Sequence, residues 1–132
     1  MALAKANRLR RRQDFSTVYQ RGLRRSTVHL TLRALRHQPY AVGSNIADQE
    51  KSEVAQPIQV GISISQKVSK RAVVRNRIKR QIRAVLRQLL PQMSPNWQLV
   101  IVVKPSAIEC GYEQFLQELK QLLINAEVIN GD

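Results

Sequence analysis

With a single cysteine, Cys110, the chain has no second thiol for an intrachain disulfide or a cysteine-based metal cluster, and a reducing, cytoplasmic setting is expected. Its longest uninterrupted apolar run, residues 99–103, falls far short of the roughly 20 residues a membrane span needs, so no membrane partner is expected. The basic amino terminus is followed by no apolar segment and does not read as a secretory signal. Chemistry-bearing groups are equally sparse. His29 and His37 have no Cys or acidic partner at metal-ligand spacing, so no metal site is expected, and neither a P-loop nor a GxGxxG is present. Cys110 reads as a structural or incidental thiol, and Asp14, Asp48, Glu50 and Glu53 form no recognisable acidic pair. If this chain belongs to an enzyme, another component is expected to carry the reaction.

Acid is also scarce. Nine Asp and Glu stand against 22 Lys and Arg, a formal net charge of +13, which is the electrostatic footprint of a nucleic-acid binder. The charge comes in two blocks. Residues 1–36 hold ten basic residues against Asp14 alone, and residues 67–87 hold nine against none. The rest of the chain is close to neutral or acidic, so the two blocks are expected to converge on one surface. At 132 residues the chain fits one domain with a single core.

The second block is also amphipathic. At about 100° per residue, Val74, Ile78, Ile82, Val85 and Leu89 fall in one narrow arc with Leu86 at its edge, the stripe a globular helix buries. Arg75, Lys79 and Arg83 run along one flank of that stripe, and Arg77 and Arg80 lie on the far side. Like charges at i, i+4 cost roughly 0.2–0.5 kcal/mol per pair. Burying each of the five or six apolar side chains returns roughly 1.5–3 kcal/mol, so packing wins. Helix formation does not ask for this charge, which is therefore assigned to binding rather than to an ordinary solvated face.

Along the chain, residues 1–12 read as a flexible basic arm. Asp14, Phe15, Val18 and Tyr19 read as a short helix closed by Gly22. Phe15 and Tyr19 are either core or the aromatic wall of an RNA-facing cleft. Residues 28–35 alternate as a half-buried strand, with Val28, Leu30, Leu32 and Ala34 on one side. Residues 37–57 read as a long connecting loop. Ile58, Val60, Ile62 and Ile64 form the clearest strand, and Ser69 stands as the N-cap of the basic helix. After Pro91 and Pro95, residues 97–104 form a second buried strand, and an amphipathic helix begins at Tyr112. This order is α+β with an embedded β-α-β unit.

At Arg75-Asn76-Arg77-Ile78-Lys79-Arg80 the sequence resembles the protein subunit of bacterial ribonuclease P. The resemblance extends to Leu9, Asp14-Phe15, Val18-Tyr19 and Gly22, to Val60-Gly61-Ile62-Ser63-Ile64-Ser65 before the basic helix, and to Lys104-Pro105 followed by Tyr112. It implies a single α-β-β-β-α-β-α domain over residues 1–132, with a central mixed sheet, an additional short strand near residues 24–27 and a left-handed β-α-β crossover, against the usual hand. A ribosomal protein domain shares this fold. Two departures are visible: Ser69 stands where many members have Gly, and the turn between Lys67 and Arg75 is one residue longer than the commonest form.

The resemblance also implies roles. Arg75, Asn76, Arg77 and Arg80 are expected to dock on the catalytic RNA. Phe15, Tyr19, Lys79 and Arg83 are expected to bind the single-stranded 5′ leader of precursor tRNA, and Arg11, Arg12, Lys67, Lys70 and Arg71 to add basic RNA contacts. No residue of the chain is assigned a catalytic role. Thr31 stands where some members carry a cleft aromatic. The protein alone is expected to hold no cofactor, the RNA-based holoenzyme to need Mg²⁺, and no protein partner to be required. The alternative left open is a ribosomal or general RNA-binding protein without a processing role.

Overall fold

A computed structural model of the chain describes residue 3, residues 5–36 and residues 57–129. Except for Pro57, the connection expected over 37–57 lies outside the described residues. The regular elements are α1 (Arg12–Arg21), β1 (Leu23–Ser26), β2 (Leu30–Arg36), β3 (Gln59–Ser63), α2 (Ala72–Leu89), β4 (Trp97–Val103) and α3 (Tyr112–Asn125). This is the expected α-β-β-β-α-β-α order, including the short strand β1. The sheet runs β1-β2-β4-β3, antiparallel at the first two pairings and parallel between β3 and β4. The basic helix is thus the connection between two adjacent parallel strands.

Strand alternation assigns the sheet two different faces. Leu30, Leu32 and Ala34 of β2 and Leu99, Ile101 and Val103 of β4 point to one face, where α2 and α3 cover them with Ile78, Ile82, Leu86, Phe115, Leu119 and Leu122. The calculated stripe of α2 is the buried one: Ile78, Ile82, Val85, Leu86 and Leu89 are buried, and Val74 is half-buried against them. On the other face, α1 is the one helix among the described residues, and it seals Val100 and Leu9 beneath Val18, with Phe15, Tyr19, Leu35 and Val102 half-buried around them.

Several boundaries differ from expectation for identifiable reasons. β2 begins at Leu30 rather than residue 28, because Thr27 N–H donates to Leu30 O (2.8 Å) and closes a tight turn that leaves Val28 73% exposed. Ser69 is not the N-cap. Arg71 holds that position, and Ser69 Oγ, two residues upstream, accepts its backbone N–H (3.2 Å). Gly22 does close α1, but with φ of −76° rather than in a left-handed turn. Its missing Cβ matters because one built there would lie 2.5 Å from Val18 O and 2.9 Å from Ala34 O.

The segment read as a basic arm contributes to the sheet in this structure. Lys5–Asn7 forms a 3-10 turn, Asn7 Nδ2 donates to Ile58 O (2.8 Å), and Leu9 N–H donates to Val60 O (3.0 Å). The β3 edge, which would otherwise offer unpaired backbone groups, is thereby partly covered. Val128 and Ile129, which sequence reading left unassigned, are also buried; Ser94 N–H donates to Val128 O (2.9 Å) and Met93 bridges to Ile129.

Candidate nucleic-acid interface

Phe15 owes its position to a glycine. Gly61 lies on the α1 side of β3, and a Cβ there would fall 2.3 Å from Phe15 Cζ. The ring therefore rests directly on the strand backbone. Beside it a cleft of about 380 Å³ opens, lined by Leu9, Arg8, Arg10, Phe15, Gly61 and Arg83 among others. Two residues from opposite layers of the fold, Phe15 of α1 and Arg83 of α2, meet at this one opening. Its buried lining is apolar and its exposed lining cationic, with no acidic residue lining it among the described residues. That combination suits an unpaired nucleotide, whose base has a π-face and whose phosphate is anionic.

Tyr19 lies one helical turn beyond Phe15 but is engaged differently. The Arg33 guanidinium stands 5.3 Å from its ring centroid, and Arg33 Nη1 donates to Tyr19 O (3.4 Å). Thr31 offers no platform, because it is 6% exposed with its hydroxyl 3.2 Å from Ser26 Oγ.

The basic residues of α2 separate into two sets, as the wheel requires. Arg75, Lys79 and Arg83 follow one another along a half-buried flank, and Arg75 Nη1 donates to Ser69 O (2.9 Å). Asn76, Arg77 and Arg80 are exposed. Arg77 leans the other way, toward the 3-10 turn Pro105–Glu109, where its Nη2 donates to Ile108 O (3.1 Å). The sequence motif Arg75-Asn76-Arg77 therefore does not form one surface: Arg75 belongs to the cleft-side row and Arg77 to the opposite side. Lys67, Lys70 and Arg71 are exposed around the amino-terminal end of α2, which has no acidic residue in its first turn. The positive helix end and three cations there favour phosphate. Arg11 and Arg12 are exposed at the matching end of α1.

A second cluster escaped sequence reading. His29, Cys110 and Glu118 come from three distant segments, yet their ligand-type atoms all lie within 4.8 Å of one another. His37 lies outside the described residues. For His29 the fold brings near what sequence spacing did not offer, a Cys and an acid, because the β1–β2 turn carries it over α3. Local spacing could not have revealed it; the one available signal was a lone acid, Glu118, set among the apolar positions of α3. Glu118 is buried and its Oε1 accepts from Thr27 Oγ1 (2.5 Å) and His29 N–H (3.0 Å), while Oε2 accepts from Gln114 Nε2 (2.8 Å). Burial pushes its carboxyl up, but the hydrogen bonds from Thr27, Gln114 and the His29 N–H, aided by the His29 ring, outweigh burial and hold it below the ordinary carboxylate range. Burial, Glu118 and Glu109 together push the Cys110 thiol up.

The family model for ribonuclease P matches residues 3–127 of the chain. The chain belongs to the ribonuclease P protein family. Among curated relatives, it is 58% identical over 129 residues to the ribonuclease P protein component of Cyanothece sp., covering 98% of each chain. It is 54% identical to that of Trichormus variabilis, covering 99% of each. Solved structures share the fold: the Staphylococcus aureus RNase P protein at a TM-score of 0.75 and 23% identity, over 96% of this chain and all of that one. The Thermotoga maritima RNase P protein aligns at 0.70 and 17% identity, over 89% of this chain and 96% of that one. Among the described residues, no helix is long and apolar enough to cross a membrane.

Proposed function

We propose that this family member works as the protein subunit of ribonuclease P, holding the 5′ leader of precursor tRNA in the Phe15–Arg83 cleft while the exposed side of α2 docks on a catalytic RNA. The meeting of Phe15 and Arg83 at one apolar-floored, cation-rimmed opening carries this reading. Lys79 extends the cationic wall by one helical turn. Tyr19 backs the cleft by packing beside Phe15 rather than by lining it. Asn76, Arg77 and Arg80, with Lys67, Lys70 and Arg71 at the helix end, form the surface for the catalytic RNA; Arg75, on the cleft side, lies at the boundary between the two RNAs. Arg11 and Arg12 add phosphate contacts at the end of α1.

In this proposal the RNA carries the chemistry and holds the Mg²⁺ that the reaction needs. The residues of the cleft do not fit a hard dication, which requires oxygen ligands, mostly carboxylate, carbonyl and water. Their side chains are arginines and apolar groups. The protein supplies binding energy and neutralises phosphate crowding, in the cytoplasm, with no obligatory protein partner. A general RNA-binding protein without a processing role would not need a cleft sized for one strand, and the family match disfavours it.

Reconstitution with a bacterial catalytic RNA at low Mg²⁺ tests the proposal. Added protein should stimulate cleavage and favour precursor over mature tRNA. Six to ten phosphate contacts should give a loss of about 10³–10⁵ in affinity between 50 and 200 mM salt. Unstimulated cleavage, or equal affinity for the two tRNAs, contradicts it.

A further inference from the structure

The cluster of His29, Cys110 and Glu118 plays no part in the function proposed above. Ser106 Oγ lies 2.8 Å from His29 Nδ1 and 3.3 Å from Val28 O. The ring so held brings its other nitrogen, Nε2, to 3.9 Å from Glu118 Oε2, too far for a direct hydrogen bond.

The surroundings match those of a metal site. A metal-bound histidine commonly has its other ring nitrogen hydrogen-bonded to a fixed partner, as His29 Nδ1 is to Ser106 Oγ. A metal-bound carboxylate is itself hydrogen-bonded, as Glu118 is by Thr27, Gln114 and the His29 N–H. Ligand atoms on one tetrahedral Zn²⁺ stand about 3.3–3.6 Å apart. The three atoms here, all within 4.8 Å, need to close by roughly 1 Å. His29 and Cys110 are half-buried, so the third side of the cluster is open to an entering ion and a water.

We propose that His29 Nε2, Cys110 Sγ and Glu118 Oε2 form a site for one divalent transition-metal ion of the Zn²⁺ class, with water in the fourth position. Thiolate and imidazole select such ions over Mg²⁺ and Ca²⁺. As the sulfur–metal bond forms, the thiol proton leaves to solvent, and thiolate plus carboxylate balance the two positive charges. The ion ties the β1–β2 turn, the Pro105–Glu109 turn and α3 together. Its role is structural: it stiffens the turn whose Ile108 carbonyl holds Arg77.

Because Cys110 is the sole cysteine, a thiolate-to-cobalt charge-transfer band reports on this site alone. The full-length protein, stripped of metal by a chelator, kept reduced by a phosphine and free of RNA, is titrated with Co²⁺ and then Zn²⁺. The site predicts a near-ultraviolet charge-transfer band with tetrahedral visible bands, saturating at one Co²⁺ per chain and displaced by Zn²⁺. Cys110→Ser, nearly isosteric and checked for folding by circular dichroism, should abolish the charge-transfer band, and Zn²⁺ should raise the melting temperature of the parent chain but not of this variant. His29→Gln and Glu118→Gln should each weaken Co²⁺ binding by at least about tenfold. If Glu118→Gln does not fold, the other two variants decide. Absence of the band, saturation at one ion per two chains, or full affinity in His29→Gln would overturn the proposal.

Discussion

The two faces of the sheet solve different problems with the same four strands. One is sealed by α2 and α3 and filled with Leu, Ile, Val and Phe that leave almost no surface exposed. The other, among the described residues, is covered by the single helix α1, and its apolar cluster is small and edged by half-buried side chains. Stability is concentrated on the sealed face. The open one spends sheet area on a cleft, and it needs a glycine, Gly61, to seat an aromatic there. The basic helix takes part in both: its buried stripe belongs to the sealed core, while Arg83 reaches the opening at the β3 edge.

The largest effect should come from the sealed face. Leu86→Ala removes a fully buried side chain and should cost about 2–5 kcal/mol in urea denaturation, with little change in RNA affinity for the fraction that remains folded. A functional loss exceeding the stability loss would erase the distinction between the faces. Gly61→Ala should do the opposite. Its new methyl displaces the Phe15 ring, and leader affinity should fall by the equivalent of about 1–3 kcal/mol of lost stacking, measured as weaker binding of precursor tRNA with mature tRNA binding unchanged.

A smaller effect belongs to Glu118, where β1, β2 and α3 are joined. Its carboxyl is held below the ordinary carboxylate range in the folded chain. It therefore contributes stability that is present above its unfolded pKa and lost as pH falls through the folded value. In metal-free protein, the parent chain should lose stability across that acidic window more steeply than Glu118→Gln. Parallel stability–pH curves would show that the carboxylate is not preferentially stabilised by its hydrogen bonds.

Periodicity made much of this architecture legible before any coordinates. The buried stripe of α2 could be assigned residue by residue because a 3.6 period leaves one arc for apolar groups, and β3 and β4 were plain from alternation and a continuous apolar run. Turn chemistry was less legible. Val28 continued the β2 alternation, yet a local hydrogen bond from Thr27 turned it to solvent. Ser69 had cap chemistry but sits two residues too early.

The site divides along similar lines. Opposite placement of Arg83 and Arg77 followed from helix geometry alone. The seat of Phe15 on Gly61 and the cluster of His29, Cys110 and Glu118 did not, because both depend on which distant segments the sheet order brings together. Arg75 and Arg77, two positions apart in one motif, lie about 160° apart around the helix by that same local geometry.

The central claim is that α2 separates two RNA-binding surfaces. It is tested most directly by a crossed pair of double variants in one assay set. Catalytic-RNA affinity is measured alongside the gain in holoenzyme affinity on adding a leader to mature tRNA. Lys79→Ala with Arg83→Ala should remove most of the leader gain, make its salt slope shallower by about 1.4, and leave assembly nearly intact. Arg77→Ala with Arg80→Ala should weaken assembly and preserve the leader gain in complexes formed at saturating protein. Equal losses in both assays from both pairs would mean the helix acts as undivided positive charge, and would contradict the account.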